Sequence, residues 1–235
     1  GGMFTANTMA CASEALGIAL PFSASIPATS PDRTELMRLA GSRVMRLLKD
    51  DIKPSDILTR KAFENAIALV VAIGGSTNAT LHLPAMAHEL GIEVTLDDFD
   101  QIARRVPHIA DMKPGGRFVQ KDLHEAGGTP RVLQELLQAG VIHGDCMTVT
   151  GKTMEENLRD LKFDRPTEVI TPLDCPLEPT GTMVIFRGNI APEGGASLDL
   201  RFALEAVAGA AAPAQPDAED EPARWWPGWK WTAFG

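Results

Sequence analysis

The chain opens with two adjacent glycines that lead directly into a helical pattern rich in short polar side chains. The first nine residues read Gly-Gly-Met-Phe-Thr-Ala-Asn-Thr-Met, so Thr5, Asn7 and Thr8 stand close to the glycine pair. Glycine lets a backbone approach a ligand closely, and the first turn of a helix presents amides and a positive dipole end. The segment predicts a place to hold an anion or the edge of a cofactor. A capped helix start without any ligand is the alternative.

A second glycine turn of the same kind lies at residues 73–78, which read Ile-Gly-Gly-Ser-Thr-Asn. It places Ser76, Thr77 and Asn78 immediately before a predicted helix over about residues 79–90. The arrangement repeats the chemistry of the first turn, with hydroxyls beside a helix N-terminus. One such turn is a weak signal, whereas two in one chain favour a binding function. Turns and caps without ligand contact remain the alternative.

The three cysteines do not form a recognisable metal or disulfide pattern. Cys11, Cys146 and Cys175 are widely spaced, odd in number and free of any Cys-x-x-Cys pair. Cys146 follows His143, which is compatible with a Cys–His dyad, but a buried thiol is the favoured interpretation. Reduced thiols of this kind fit a cytoplasmic protein.

Composition narrows the class of protein further. The chain has 235 residues, of which 44% are apolar and 23% charged, as in ordinary globular proteins. Its net charge of −9 argues against nucleic acid or an anionic membrane surface as a partner. The sequence contains no apolar run long enough to span a bilayer. A small-molecule partner is therefore expected, with neither nucleic acid nor membrane.

Periodicity predicts a helix-rich α/β domain over residues 1–165 that positions both glycine turns. Residues 166–195 are expected to be a linker and the first strands of a truncated β domain. The predicted helices cover about residues 8–16, 33–49, 61–71, 79–90, 95–105, 119–125, 131–139 and 154–161. The predicted strands cover about residues 92–94, 106–111, 169–170 and 182–189.

Residues 196–235 differ in character from the rest of the chain. An Ala-rich stretch is followed by a Pro- and acid-rich stretch, and all four tryptophans lie between Trp225 and Trp231. Such a composition predicts a disordered tail. A shifted reading frame or a cloning artefact is the preferred origin, and a tail that binds a partner or a membrane interface is the alternative.

Several blocks resemble the family of dihydroxy-acid and 6-phosphogluconate dehydratases, and the resemblance runs from residue 1 to about residue 195. The family's first block reads Cys-Gly-Gly-Met-Tyr-Thr-Ala-Asn-Thr-Met, whereas this chain begins at the glycines and carries Phe4 in place of Tyr. The other similar blocks are residues 14–17, 57–66, 73–79, 122–128, 143–153 and 187–194. Thr-Ala-Asn-Thr-Met and Thr-Val-Thr-Gly-Lys-Thr favour the branched-chain amino-acid branch of the family.

The resemblance implies a lyase that dehydrates 2,3-dihydroxy-carboxylates to 2-oxo acids in valine and isoleucine biosynthesis. It further implies a [2Fe–2S] cluster, a magnesium ion and a homodimeric full-length protein. The family's ligands and serine base match no residue of this chain, so no catalytic or metal-binding residue is assigned. The chain is accordingly expected to be an internal fragment, inactive alone.

By the same resemblance, Thr5, Asn7 and Thr8 would flank the cluster without ligating it, and Ser76, Thr77 and Asn78 would face the substrate. Two other functions remain open. One is a sugar-acid dehydratase of the same family, and the other is a non-catalytic module that binds anions through the two glycine turns.

Overall fold

The computed structural model describes residues 1–163, 167–189 and 191–198. Helices dominate this part of the chain, and a small antiparallel sheet follows them. The elements in chain order are α1 (Thr5–Ala15), α2 (Asp32–Lys49), α3 (Pro54–Ile57), α4 (Arg60–Ala72), α5 (Ala79–Glu89), α6 (Leu96–Arg105), α7 (Gln120–Glu125), α8 (Gly128–Gln138), α9 (Met154–Leu158), β1 (Met183–Phe186) and β2 (Gly195–Leu198). The predicted helix-rich α/β class is confirmed.

Helix α4 lies at the centre of the core. It is apolar on nearly every side, from Phe63 to Ala72, and a helix of this kind is stable only when neighbours surround it. Helices α1, α5, α6 and α8 pack around it. Thr59 caps its N-terminus by accepting a hydrogen bond from Ala62 N (3.3 Å). Because both glycine turns adjoin elements packed on α4, this helix fixes their relative position.

Three of the predicted strands, at residues 92–94, 106–111 and 169–170, do not form. Residues 92–94 make a loop, because Ile92 N donates to Ala87 O (2.9 Å) at the end of α5. Residues 106–111 are extended but form only isolated bridges, from His108 to Glu178 and from Ala110 to Ile170. The amide of Ala110 donates to Ala72 O at the end of α4 (3.2 Å), so this amide is bonded to a helix end and not to a neighbouring strand.

The antiparallel pair β1–β2 confirms the strand prediction near residue 182, with Met183 opposite Leu198 and Phe186 opposite Gly195. Just before β1, Thr182 N donates to Val71 O (3.0 Å), which ties this region to α4. Val169, Ile170 and Met183 are buried in the same core as the helices. The predicted boundary near residue 166 stays a prediction, and most of the tail (residues 199–235) lies outside the described residues.

Helix α2 is an exception to the packing of the other long helices. Its apolar residues recur at spacings of three and four, yet none of its residues is buried. Arg33, Leu36, Arg43 and Leu47 are half-buried against the body, and the rest of the helix is exposed. Within the described part of the chain, no helix is both long and apolar enough to cross a membrane.

Candidate functional site

The first glycine turn is held rigidly by the segment around residue 113. Asn7 Nδ2 donates to Gly2 O (2.6 Å), and Met3 N donates to Lys113 O (2.6 Å). A methyl group on Gly2 would lie 2.8 Å from Lys113 O, closer than real Cβ atoms approach backbone oxygens. The turn therefore needs glycine for close backbone approach, and Asn7 fixes the turn from within α1.

Helix α1 starts earlier than the sequence predicted, at Thr5, with Phe4 at the N-cap position. The capped helix start weighed as the alternative is therefore wrong, because Thr5, Asn7 and Thr8 all lie inside the helix and cap nothing. Phe4 has no side-chain oxygen, and no side chain caps the first turn of α1. The positive end of this helix therefore lacks the usual side-chain acceptor for its first amides.

The second glycine turn packs directly against α1. A methyl group on Gly75 would lie 2.9 Å from Thr8 Cγ2 and 2.9 Å from Val70 Cγ1, so only glycine fits. Ser76 N donates to Thr8 Oγ1 (2.9 Å), and that hydroxyl donates to Met3 O (3.2 Å). Thr8 is fully buried and joins the two turns. The tertiary fold thus brings together two motifs that are almost 70 residues apart in sequence.

Three of the predicted residues meet where the two turns converge. Asn78 Nδ2 donates to Thr5 Oγ1 (2.6 Å), and Thr5 Oγ1 lies 3.3 Å from Ser76 Oγ. We call these residues the Thr5–Ser76–Asn78 cluster. Because Thr5 Oγ1 accepts from the amide, its own proton is available to Ser76 or to an incoming oxygen. None of the three side chains titrates near neutral pH, so the cluster is suited to binding and orienting oxygens rather than to acid–base catalysis.

The remaining predicted residues have supporting positions. Asn7 pins the first turn and Thr8 links the turns, as described above. Thr77 is half-buried, and its carbonyl accepts from Thr80 N (2.9 Å) and Thr80 Oγ1 (2.8 Å). Ala79 N likewise donates to Ser76 O (3.1 Å). Because these turn hydrogen bonds occupy amides at the start of α5, this helix end has fewer free amides to bind an anion than its sequence indicated.

The described residues do not fit the ligand set of an iron–sulfur cluster or of another metal centre. No group of three or more His, Cys, Asp or Glu side chains converges within the described ranges. Burial raises the pKa of both Cys11 and Cys146 to about 11, so these thiols stay protonated at neutral pH. A metal ligand must be the thiolate. Any cluster or magnesium ion would therefore need ligands from elsewhere.

The Cys–His dyad weighed from the sequence does not form. His143 Nε2 lies 2.6 Å from Glu64 Oε2, and Cys146 is buried as a free thiol. The favoured interpretation of Cys146 as a buried thiol is confirmed. Asn65 Nδ2 lies 3.6 Å from its sulfur and also donates to His143 O (2.8 Å), while Asn65 Oδ1 accepts from His143 N (2.7 Å). This loop is therefore held by an amide that the sequence analysis did not single out.

A second residue missed from the sequence is Glu14, a buried carboxyl on α1. Burial raises its pKa to about 8, against the opposing effect of the amides of Ala24 (2.6 Å) and Phe22 (3.0 Å), which donate to it. Phe22 has a left-handed backbone (φ 70°), so the carboxyl holds a strained loop. The signal was available, because Glu14 stands between Ala12 and Ala15 on the apolar side of the helix.

Comparison with known proteins places this site in a family. The family model described as dihydroxy-acid/6-phosphogluconate dehydratase N-terminal matches residues 1–157, which include both glycine turns. A dihydroxy-acid dehydratase from Francisella tularensis subsp. novicida is 55% identical over 196 residues, covering 83% of this chain and 35% of the relative. A dihydroxy-acid dehydratase from Parvibaculum lavamentivorans is 54% identical over 194 residues, which cover 83% of this chain and 34% of the relative. The chloroplastic dihydroxy-acid dehydratase of Arabidopsis thaliana is 51% identical over 195 residues, which cover 83% of this chain and 32% of the relative.

The chain spans about a third of the length of these relatives. The family model nevertheless covers most of the chain and contains every residue that joins the two turns. The glycines are required by close contacts, and the polar residues meet at one surface. On these grounds, the chain belongs to the dihydroxy-acid/6-phosphogluconate dehydratase family.

Proposed function

We propose that this chain is part of a dihydroxy-acid dehydratase, which removes water from 2,3-dihydroxy-carboxylates to give 2-oxo acids for valine and isoleucine biosynthesis. The observation that carries the proposal is the identity of 51% to 55% to proteins named dihydroxy-acid dehydratase, over 83% of the chain. In this reaction the substrate loses the hydroxyl from C3 and the proton from C2. The resulting enol takes up a proton at C3 to become the 2-oxo acid.

Within the whole enzyme, we assign the Thr5–Ser76–Asn78 cluster to one wall of the substrate site. Its hydroxyl and amide groups match the oxygens of a dihydroxy-carboxylate, and the uncapped start of α1 favours negative charge nearby. Asn7 and Thr8 hold the wall in place through the two glycine turns. Bonds of this kind orient a substrate, and orientation contributes substantially to catalysis.

The proposal extends to features that lie outside the described residues. A [2Fe–2S] cluster and a magnesium ion would supply Lewis-acid chemistry for loss of the hydroxyl. Their ligands and the catalytic base would come from parts of the enzyme that this chain does not supply, so the chain alone is expected to be inactive. The free thiols fit a reducing compartment, for which we propose the cytoplasm, and the whole enzyme is proposed to be a homodimer.

A chimera tests the proposal directly. Residues 1–196 of this chain would replace the equivalent third of the Francisella enzyme, and 2-oxo acid formation would be measured after reconstitution with iron, sulfide and magnesium. We expect turnover of branched-chain dihydroxy acids in preference to sugar acids. Preference for sugar acids would favour the second family function. A chimera that folds and binds its cofactors but turns over neither substrate would contradict the proposal.

The wall assignment has its own matched test in the same chimera. Thr5→Val removes a hydroxyl at nearly constant volume and is expected to lower kcat/KM by roughly 10- to 100-fold, as for a hydrogen bond to a charged ligand. Thr5→Ser keeps the hydroxyl and should retain most of the activity. Equal activities for Thr5→Val and Thr5→Ser would remove Thr5 from the site.

The non-catalytic alternative is less favoured, because turn bonds already occupy amides at the start of α5. It can be tested on the 235-residue chain by titration with inorganic phosphate or acetate. Measurable affinity that disappears when Asn7 and Asn78 are both replaced by Ala would revive it.

A further inference from the structure

Two exposed apolar side chains border the Thr5–Ser76–Asn78 cluster. Phe4 is 60% exposed and directly precedes Thr5 in the chain. Leu81 is 65% exposed and lies in the first turn of α5, where its amide donates a hydrogen bond to Asn78 O (3.1 Å). Single exposed apolar residues are common on protein surfaces. The position of these two is informative, because each is next to a member of the same polar cluster.

The short connections keep both side chains close to the cluster. Neighbouring Cα atoms in a chain are about 3.8 Å apart, so Phe4 lies within a side-chain length of Thr5. Asn78 has a helical backbone (φ −59°, ψ −17°), and residues three apart in a helix have Cβ atoms about 5–6 Å apart on the same side. Leu81 therefore lies on the side of α5 that carries Asn78. Because Asn78 Nδ2 donates to Thr5 Oγ1 (2.6 Å), the cluster has Phe4 on its α1 side and Leu81 on its α5 side.

The two segments that meet here are poor in charge. Residues 4–9 and 76–83 contain no Asp, Glu, Lys or Arg, and His82 is their one titratable side chain. A ligand at this surface would meet mainly hydroxyl, amide and hydrocarbon groups. The arrangement suits a molecule with neighbouring oxygens and an alkyl group, because the cluster can hydrogen-bond the oxygens. The alkyl carbons can be removed from water against Phe4 and Leu81.

From this arrangement we infer that Phe4 and Leu81 bind the alkyl group on C3 of the substrate, while the Thr5–Ser76–Asn78 cluster binds its hydroxyl oxygens. The inference rests on the proposed dehydratase function and deepens it, because it assigns selection of the substrate class to two particular side chains. Phe4 and Leu81 are specificity-determining residues in this account. They take no part in proton transfer, since neither side chain carries a proton donor or acceptor.

The two substrate classes of the family differ at the carbon that these side chains would contact. Branched-chain 2,3-dihydroxy acids carry only methyl and ethyl groups on C3, whereas sugar acids carry there a chain with a hydroxyl on each carbon. An alkyl group placed against Phe4 and Leu81 gains about fourfold in affinity for each carbon that leaves water. A hydroxyl in the same place would lose its water without finding a hydrogen-bond partner on either side chain, so sugar acids would bind more weakly.

Ligands that cannot react separate binding from chemistry. The probes are 2-hydroxy acids that lack the 3-hydroxyl that the reaction removes and that gain one carbon on C3 at each step, namely lactate, 2-hydroxybutanoate and 2-hydroxy-3-methylbutanoate. Their dissociation constants would be measured by calorimetry on the reconstituted chimera that contains residues 1–196 of this chain. We expect Kd to fall by about fourfold with each added carbon.

Variants of the same chimera test the two side chains. Phe4→Ala and Leu81→Ala should each reduce the gain per added carbon to about twofold or less and leave the Kd of lactate nearly unchanged. In the turnover assay, both should raise KM for branched-chain substrates by about fourfold or more with little change in kcat. Phe4→Tyr keeps the ring and should keep the gain. Leu48→Ala is the matched control, since Leu48 is 73% exposed on α2 and lies outside both glycine turns.

Unchanged gains in both Phe4→Ala and Leu81→Ala would overturn the inference, as would an equal loss in Leu48→Ala. If the rest of the enzyme covered these side chains instead, the two Ala variants would lower the urea midpoint of unfolding and leave the gains unchanged, which would also overturn it. Failure of the proposed function would look different. A chimera whose Kd falls with each added carbon but that turns over no dihydroxy acid would contradict the dehydration and still support the alkyl contact.

Discussion

The close contact between the two glycine turns predicts that a side chain at Gly75 would destabilise the fold. In Gly75→Ala, the added methyl group would lie 2.9 Å from Thr8 Cγ2, 2.9 Å from Val70 Cγ1 and 3.0 Å from Val70 O. The backbone oxygen has little freedom to move, because it also accepts the hydrogen bond from Gly75 N (2.9 Å). The φ angle of Gly75 is not in the left-handed region, so the effect arises from crowding alone.

Overpacking of this kind costs about 1–3 kcal/mol of unfolding free energy. For a protein of this size, each kcal/mol lowers Tm by about 2–4 °C. The measurement is urea unfolding followed by circular dichroism, with the midpoint and slope fitted for each variant. Gly41→Ala is the matched control, because nothing lies within 4 Å of the added methyl group in the exposed α2 helix. That control should be stabilised by about 0.5–1 kcal/mol.

A double variant tests whether the crowding in Gly75→Ala arises from its contact with Thr8. Thr8→Ser removes the methyl group that Gly75→Ala would strike but keeps the hydroxyl that accepts from Ser76 N. In the Gly75→Ala background, this change should recover part of the lost stability, as a coupling energy in a double-mutant cycle. A Gly75→Ala protein as stable as the parent, or strictly additive effects of the two changes, would refute the packing argument.

Three further predictions concern buried polar groups and thiols. Burial raises the pKa of Glu14 in the folded chain from 4.5 to about 8, so the stability that its protonated form contributes is fully present below about pH 4.5 and is lost as pH rises to about 8. Unfolding free energy measured against pH should fall over this range, and Glu14→Gln should make that dependence flatter. Cys175 is exposed whereas Cys11 and Cys146 are buried, so Ellman's reagent should label one thiol in the native chain, and Cys175→Ser should abolish that reaction. Rapid labelling of more than one thiol would contradict the burial of Cys11 and Cys146. Asn65→Ala leaves the amide and carbonyl of His143 without the side chain that bonds them, so the unfolding free energy measured in denaturant should fall by about 1–3 kcal/mol or more. A fall of less than about 0.5 kcal/mol would contradict this role of Asn65.

The sequence by itself determined the longer helices and their order, but it did not predict the four-residue helix α3. Apolar residues repeating at spacings of three and four predicted α4 and α8, and both helices form at these places. These features are local, because a helix satisfies its backbone hydrogen bonds within itself. The family was identifiable from short blocks for the same reason, since each block is contiguous in the chain.

Strands and helix burial were less predictable, because both depend on partners that are distant in sequence. Residues 106–111 have strand-like composition, but the end of α4 takes bonds that a sheet would have used. Helix α2 has the spacing of a packed helix but remains exposed. Periodicity identifies a side of a helix that suits burial, and only the tertiary structure decides whether anything covers it.

The candidate site divides in the same way. Its residue types were visible in two glycine turns, and their grouping as Thr5, Ser76 and Asn78 was not, because it depends on how α1 and α5 pack against α4. The fold also assigned Thr8 to a buried link and Asn7 to a turn clamp. Sequence determines which polar groups are available, whereas packing distances decide which of them remain free to meet a substrate.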